Sequence, residues 1–426
     1  MISEIRNGIL HIDGCSTKDL ADKYGTPLYV MSEKAIVERI DQLKDSFLNK
    51  YANTRVAYAA KAFCTVAMLK LCNREGIGVD VVSGGELYTA IKSGFPPELI
   101  EFNGNNKLDA EIEMAVGYGI GRIIIDGLDE LPRIEECCRK HGKKMNVLFR
   151  ITPGVGADSH DYIITGKKDS KFGIPLDEKV IFPQVEMAIR SKHVNFLGFH
   201  FHIGSQIFEN EAYLMSLDVL LDLVEEVKKR LGFDVKELNF GGGFGAAYTE
   251  EKRKPYSYYI KPIMDKLNGF YEGRGLDRPA VVIEPGRSIV AEAGLTLYTI
   301  GSIKIIEGVR KYVSIDGGMT DNIRPALYSA EYSGIVATRA DAPKTDPVAI
   351  AGKCCESGDV LIRNIRIAEN TRAGDLFAIF STGAYGYSMA SNYNRIPIPA
   401  AVMVKDGKSQ LIVQRQTYEH MVANDI

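Results

Sequence analysis

The sequence predicts a β/α barrel of the (β/α)8 TIM type joined to a second, all-β domain, and three observations carry that prediction. Eight short apolar, β-branched runs recur at 54–59, 78–82, 99–102, 122–125, 146–151, 194–202, 237–240 and 280–284. Helix-like segments such as 110–117 and 212–231 separate them. Strands alternating with helices imply a parallel sheet, and eight such units close into a barrel. After Glu284 the pattern changes: strand candidates at 295–306, 311–316, 348–351, 376–380, 400–405 and 409–414 follow one another through glycine and proline turns. Few helices lie between them, which is the pattern of an antiparallel β domain.

Taken in order, the chain opens with strand pieces at 9–12 and 28–31, then a helix over 33–47, where apolar residues recur at helical spacing. The early strands have no partner among the barrel runs, so they are expected to join the C-terminal sheet. This gives three segments: N-terminal strands over 1–32, the barrel over 33–286 and the β domain over 287–426. A length of 426 residues exceeds one ordinary core and suits two domains. The polar connection at 158–170 (DSHDYIITGKKDS) follows the fifth run and reads as a lid over the barrel mouth.

A net charge of −3 with 25% charged residues provides no basic face for nucleic acid. The charged N-terminus is not a secretory signal, and no apolar run reaches membrane-spanning length. The expectation is a cytoplasmic protein that engages neither nucleic acid nor membrane. Its seven cysteines are odd in number and form no C-x-x-C pair, which argues against a disulfide framework and a structural zinc site.

In a β/α barrel the residues just past each strand share one mouth. Here they are Lys61, Ser83, Asn103, Asp126, Arg150, His200 with His202, the glycines at 241–245, and Glu284 with Arg287. The GGGFG loop follows the seventh strand, where barrel phosphate sites are commonly built, and Ser205 and Arg287 are placed to reach the same anion. Lys61, flanked by Tyr58, Ala59, Ala60 and Phe63, has the apolar surround that makes an amine nucleophilic toward carbonyls. A nucleophilic lysine and a phosphate loop in one mouth suggest pyridoxal phosphate.

His200 and His202 lie two apart on a strand, so both are expected on one face. An imidazole stacked on a planar cofactor ranks first, a metal pair second, and a hydrogen-bonded core pair is the plain alternative. Glu284, in EPGR, is suited to keep a pyridine nitrogen protonated and the ring a strong electron sink, which favours loss of carbon dioxide. A structural ion pair with Arg287 is the plain alternative there.

Eight ordered motifs then carry a resemblance. They are YAAKAF, SKFGI at 170–174, HFHIGSQ, GGGFG, EPGR, IRPALY at 323–328, CESGD at 355–359 and GAYGYSMASNYN at 383–394. Together they resemble the diaminopimelate decarboxylases, a branch of the fold-type III pyridoxal-phosphate decarboxylases that includes ornithine decarboxylase relatives and shares the alanine racemase fold. The resemblance spans nearly the whole chain. It implies Lys61 as the Schiff-base lysine and His202 as the stacked imidazole. It implies Ser205, Gly242, Gly243 and Tyr385 at the phosphate, with Gly286 and Arg287 beside the cofactor and Glu284 at the pyridine nitrogen. Arg287, Arg324, Tyr328, Glu356 and Tyr385 would contact substrate, and Cys355 would donate the proton; no metal is implied. It also implies a homodimer with shared sites, the CESGD segment coming from the partner subunit. Phe63 departs from the family, whose members often carry Asn there, and AGKCC places two cysteines before Glu356.

The implied reaction is decarboxylation of meso-2,6-diaminopimelate to L-lysine, the last step of lysine biosynthesis. The substrate's distal carboxylate and ammonium would be matched by Arg324 or Arg287 and by Glu356, respectively. A polyamine-forming decarboxylase needs only the acidic partner. The alternatives are decarboxylation of carboxynorspermidine, ornithine, arginine or a carrier-tethered acyl group, then racemisation, which Glu284 disfavours, and then a non-catalytic cofactor-binding protein.

Overall fold

The computed structural model describes residues 3–154 and 170–426. The chain divides into two compact units, one of Met1–Arg39, Ala246–Lys252 and Arg287–Ile426, the other of Ile40–Gly245 and Arg253–Gly286.

The second unit is the barrel. Its strands are β1 (Thr54–Ala59), β2 (Gly78–Val81), β3 (Ile100–Phe102), β4 (Arg122–Ile125), β5 (Met145–Thr152), β6 (Val194–His200), β7 (Glu237–Asn239) and β8 (Ala280–Ile283). Each of the eight predicted runs supplies one strand. All neighbouring pairs are parallel, and β8 pairs with β1, which closes the ring. The runs form strands because β-branched side chains suit a pleated, buried surface; all four residues of β4, Arg-Ile-Ile-Ile, are buried. Helices α1 (Val66–Arg74), α2 (Gly84–Ser93), α3 (Asp109–Tyr118), α4 (Glu130–His141), α5 (Glu178–Arg190), α6 (Glu211–Leu231) and α7 (Tyr256–Glu272) separate the strands. Their starts are written locally: Thr65 accepts from the Met68 N–H at 3.2 Å and Ser83 from Glu86 at 3.3 Å. The expected lid at 158–170 lies, except for Ser170, outside the described residues.

The other unit holds a nine-stranded sheet. Leu28–Ser32 sits inside it, paired antiparallel with Gly294–Ile306 and parallel with Ala400–Lys405. An N-terminal strand therefore completes the C-terminal sheet, as expected. Two expectations need correction. The segment Ile9–Ile12 pairs locally, in a three-stranded sheet with Ser3–Arg6 and Cys15–Ser16, although Leu10 and Ile12 join the same apolar core as Val30, Leu297 and Val402. The large sheet is mixed, not antiparallel, because Arg310–Ile315 runs parallel to Lys344–Ala351. The long connection between those two strands permits the crossover that a parallel pair needs. The strand Val360–Ala368 is absent from the sequence reading, since Arg363, Asn364 and Arg366 interrupt its apolar run and its pairing shifts register at bulges. Among the described residues no helix is long and apolar enough to cross a membrane.

Candidate active site

In the barrel unit the site is built around Glu284, the residue after β8. Its side chain is only 6% exposed. Oε2 lies 3.0 Å from Nε2 of His200, while Oε1 accepts from Asn103 Nδ2 at 3.1 Å and Asn239 Nδ2 at 2.8 Å. Three strand ends therefore aim donors at one carboxylate. Burial alone would raise this carboxyl, but the charge and hydrogen bond of His200, with the charge of Lys61, outweigh it and bring it down to about 2. Asp80 goes the opposite way: burial, with Glu284 beside it, pushes it well above the usual range. It accepts from Asn103 at 2.7 Å. The two shifts oppose one another because each buried carboxylate disfavours the charge of the other.

His202 lies two residues beyond the end of β6, and both it and His200 act on Glu284. The Gly242 N–H donates to His202 Nδ1 at 3.3 Å. Burial and the ammonium of Lys61 hold the His202 imidazole well below its usual value, leaving it neutral at pH 7. Lys61 is half-buried on the single turn Ala60–Ala62 that follows β1. Gly286 packs against that strand end, where an added Cβ would meet Ala59 O at 3.0 Å.

The glycine loop is pressed between two strand ends. A Cβ on Gly242 would sit 2.1 Å from Glu284 O, and one on Gly243, whose φ is +108°, would sit 2.5 Å from Gly204 O. Only glycine permits that approach. Ser205, half-buried, follows Gly204 directly. Tyr213 donates to Gly242 O at 2.8 Å and steadies the loop from α6. The SKFGI motif packs beside the same mouth: the Arg150 guanidinium lies 4.5 Å from the Phe172 ring centroid and 3.3 Å from Asp126, which also accepts from the Gly173 N–H.

The remaining candidates belong to the other unit. Arg287 and Arg324 are 7% and 6% exposed. Arg287 donates to the Tyr248 hydroxyl at 2.7 Å and lies 4.6 Å from the Tyr385 ring centroid. Arg324 donates to Tyr332 at 2.5 Å and stacks 4.7 Å from the Tyr248 centroid. Among the described residues no carboxylate pairs with Arg324, so its charge is available to an incoming anion. Tyr328 ends the short helix that Arg324 begins and is half-buried. Tyr248 and Tyr332 have no motif signal; they become part of the site only because the fold brackets two arginines with them.

The adjacent cysteines differ. Cys354 is buried, its N–H donating to Asp359 Oδ2 at 2.8 Å, and burial with that carboxylate raises its thiol to about 11. Cys355 is exposed, with its N–H on Asn394 Oδ1 at 2.6 Å and its carbonyl accepting from Tyr393 at 3.3 Å. Glu356 is also exposed and accepts from the Gly358 N–H at 3.2 Å.

A family model described as "Pyridoxal-dependent decarboxylase, pyridoxal binding domain" matches residues 33–291. The chain belongs to this decarboxylase family. A Bacillus subtilis diaminopimelate decarboxylase is 48% identical to it, covering 99% of this chain and 96% of the relative. The structure of a diaminopimelate decarboxylase from M. jannaschii in co-complex with L-lysine superposes with a TM-score of 0.93 at 37% identity, covering 100% and 97% of the two chains. A lysine/ornithine decarboxylase from Vibrio vulnificus, 22% identical with a TM-score of 0.77 over 91% of this chain and 97% of that one, shares the fold alone.

The family's cofactor, pyridoxal phosphate, fits the residues present. A buried carboxylate held ionised suits a protonated pyridine nitrogen, and a glycine loop with no room for side chains suits close approach of a phosphate to the backbone.

Proposed function

We propose that this chain decarboxylates meso-2,6-diaminopimelate to L-lysine and carbon dioxide, with pyridoxal phosphate as cofactor, as the last step of lysine biosynthesis. The observation that carries this reading is Glu284, an ionised carboxylate buried under three donors in a chain 48% identical to a diaminopimelate decarboxylase. When bound, the cofactor supplies the sink for the electron pair left as carbon dioxide departs.

In this reading Lys61 would hold the cofactor, His202 would be the imidazole stacked on its ring, and Glu284 would keep the ring nitrogen protonated. Ser205, Gly242, Gly243 and Tyr385 take the phosphate, with Gly286 and Arg287 beside them. Arg324 and Arg287 receive substrate carboxylate, Tyr328 and Tyr385 line the substrate, and Glu356 receives the distal ammonium. Cys355 gives the proton that replaces carbon dioxide and regains it from solvent. The inward-locked Cys354 supports Cys355 in that role.

We also infer a homodimer with shared sites, because Cys355 and Glu356 are exposed on the single chain, where a proton donor would be unshielded from water. Seven free thiols support a reducing, cytoplasmic setting. Carbon dioxide release from a panel of amino acids tests the substrate. Meso-diaminopimelate should be turned over well above ornithine, arginine, lysine and carboxynorspermidine; preference for any of these would overturn the assignment.

A further inference from the structure

The seven cysteines form no C-x-x-C pair. On a helix the relevant spacing is four. Cys137 and His141 lie one turn apart on α4, and Glu113 reaches them from α3. Glu113 Oε2 accepts from the Cys137 thiol at 3.4 Å, and Oε1 meets Nε2 of His141. The three donor atoms all lie within 4.8 Å of one another, and among the described residues no other His, Cys, Asp or Glu trio converges so closely.

We propose that Glu113, Cys137 and His141 form a binding site for a zinc-class divalent cation that clasps α3 to α4. An ion pair between Glu113 and His141 would need no third group. Here a buried thiol, 6% exposed, points at the same carboxylate, while His141 and Glu113 are 30% and 55% exposed and leave a path from solvent. One sulfur, one imidazole nitrogen and one carboxylate oxygen make a mixed donor set that suits Zn2+ and not Mg2+ or Ca2+, which prefer oxygen alone. Water would complete four-coordination.

In the cation-free site the Cys137 thiol donates its proton to Glu113 Oε2, and a bound cation would displace that proton. Binding forms the metal–sulfur bond, breaks S–H and releases one proton to solvent; nothing is oxidised or reduced. With Glu113 and the thiolate each contributing one negative charge, the divalent ion is neutralised, with Lys140 and Lys143 as nearby opposing charges. Barrel helices run back against their strands, so His141, the last residue of α4, lies toward the face opposite the catalytic mouth. The role is therefore structural, tying together two successive β/α units.

The test uses the holoenzyme, stripped with chelator and dialysed against Zn2+. The expected result is one zinc per chain that His141→Ala and Glu113→Gln each weaken by about 10–100-fold or more, since even outer-sphere changes cost that much. The K-edge absorption spectrum should show one sulfur at about 2.3 Å and lighter ligands at about 2.0–2.1 Å. Zinc should raise the melting temperature of the wild type and not of His141→Ala, while decarboxylase turnover of both variants stays at the wild-type level. Both variants change exposed side chains, so folding is not at risk, and Cys137→Ser then identifies the sulfur. Zinc binding unchanged by His141→Ala, or a zinc environment without sulfur, would overturn the site.

Discussion

Glu284 and Cys355 sit in opposite surroundings, one in each unit of the molecule. Glu284 is buried and takes hydrogen bonds from His200, Asn103 and Asn239, which come from three different strand ends. Cys355 is exposed, and among the described residues its hydrogen bonds are made by its backbone. The barrel thus tunes a carboxylate before any ligand arrives, whereas the β unit presents an exposed thiol which, in the proposed role of proton donor, a partner subunit would shield. The difference follows from the tasks. A carboxylate that tunes an electron sink must stay ionised in a low-dielectric site, and only dense hydrogen bonding achieves that. A thiol that meets a reacting carbon needs access first.

Four experiments would break or sharpen this contrast. The largest effect belongs to the pair Lys61→Ala and Cys355→Ala. Each should be nearly inactive as a homodimer, the latter by roughly 10²–10⁴-fold for losing a positioned proton donor. Mixed under mild dissociating conditions, they should regain roughly a quarter of wild-type activity. Half the dimers are then heterodimers, each with one intact site. No recovery despite demonstrated subunit exchange would mean the thiol acts within its own chain. Borohydride trapping should label Lys61 in the wild type, and a label on another lysine would remove it from its role.

Glu284→Gln should lower kcat by about 10²–10³-fold with little change in KM, the size of effect seen when one preorganised electrostatic contact is lost. Because Glu284 stays ionised down to about pH 2, the acid limb of the wild-type profile belongs to another group. An alanine here would be a poorer probe, since emptying a buried ion pair costs about 3–5 kcal/mol in stability. Unchanged turnover in Glu284→Gln would end the electron-sink reading.

Arg324→Gln should raise KM for diaminopimelate by about 10–100-fold, the worth of a hydrogen bond to a charged group, and narrow the preference over ornithine. The smallest effect is Cys354→Ser, expected to change turnover by less than about twofold and stability by about 1 kcal/mol. Loss of turnover in that variant comparable to Cys355→Ala would exchange the roles of the two cysteines.

All eight barrel strands were legible because each is a short local run bounded by turn chemistry, most of them rich in apolar and β-branched residues, and such a run needs no tertiary information. Lys61, Glu284 and the glycine loop were legible because barrel topology places strand ends in a common mouth. Asp80 and Asn239, however, look like ordinary polar residues inside their strands. Strand pairing brings Asn239 onto Glu284, and closure of the ring sets Asp80 against it, where its carboxyl is pushed up. Val360–Ala368 escaped for a different reason: bulges break its alternation, and its pairing with Lys344–Ala351 is a nonlocal choice.

By itself the sequence determined the barrel, the second β domain and the placement of Lys61, Glu284 and the glycine loop at barrel strand ends, since periodicity and strand-end position are properties of neighbouring residues. Tertiary structure alone decided how each group is tuned. Glu284 is held low while Asp80 beside it is pushed up, the His202 imidazole is held below its usual range, and Cys354 is buried while Cys355 faces solvent. Protonation and exposure depend on burial and on partners far apart in the chain, and no run of adjacent residues encodes them.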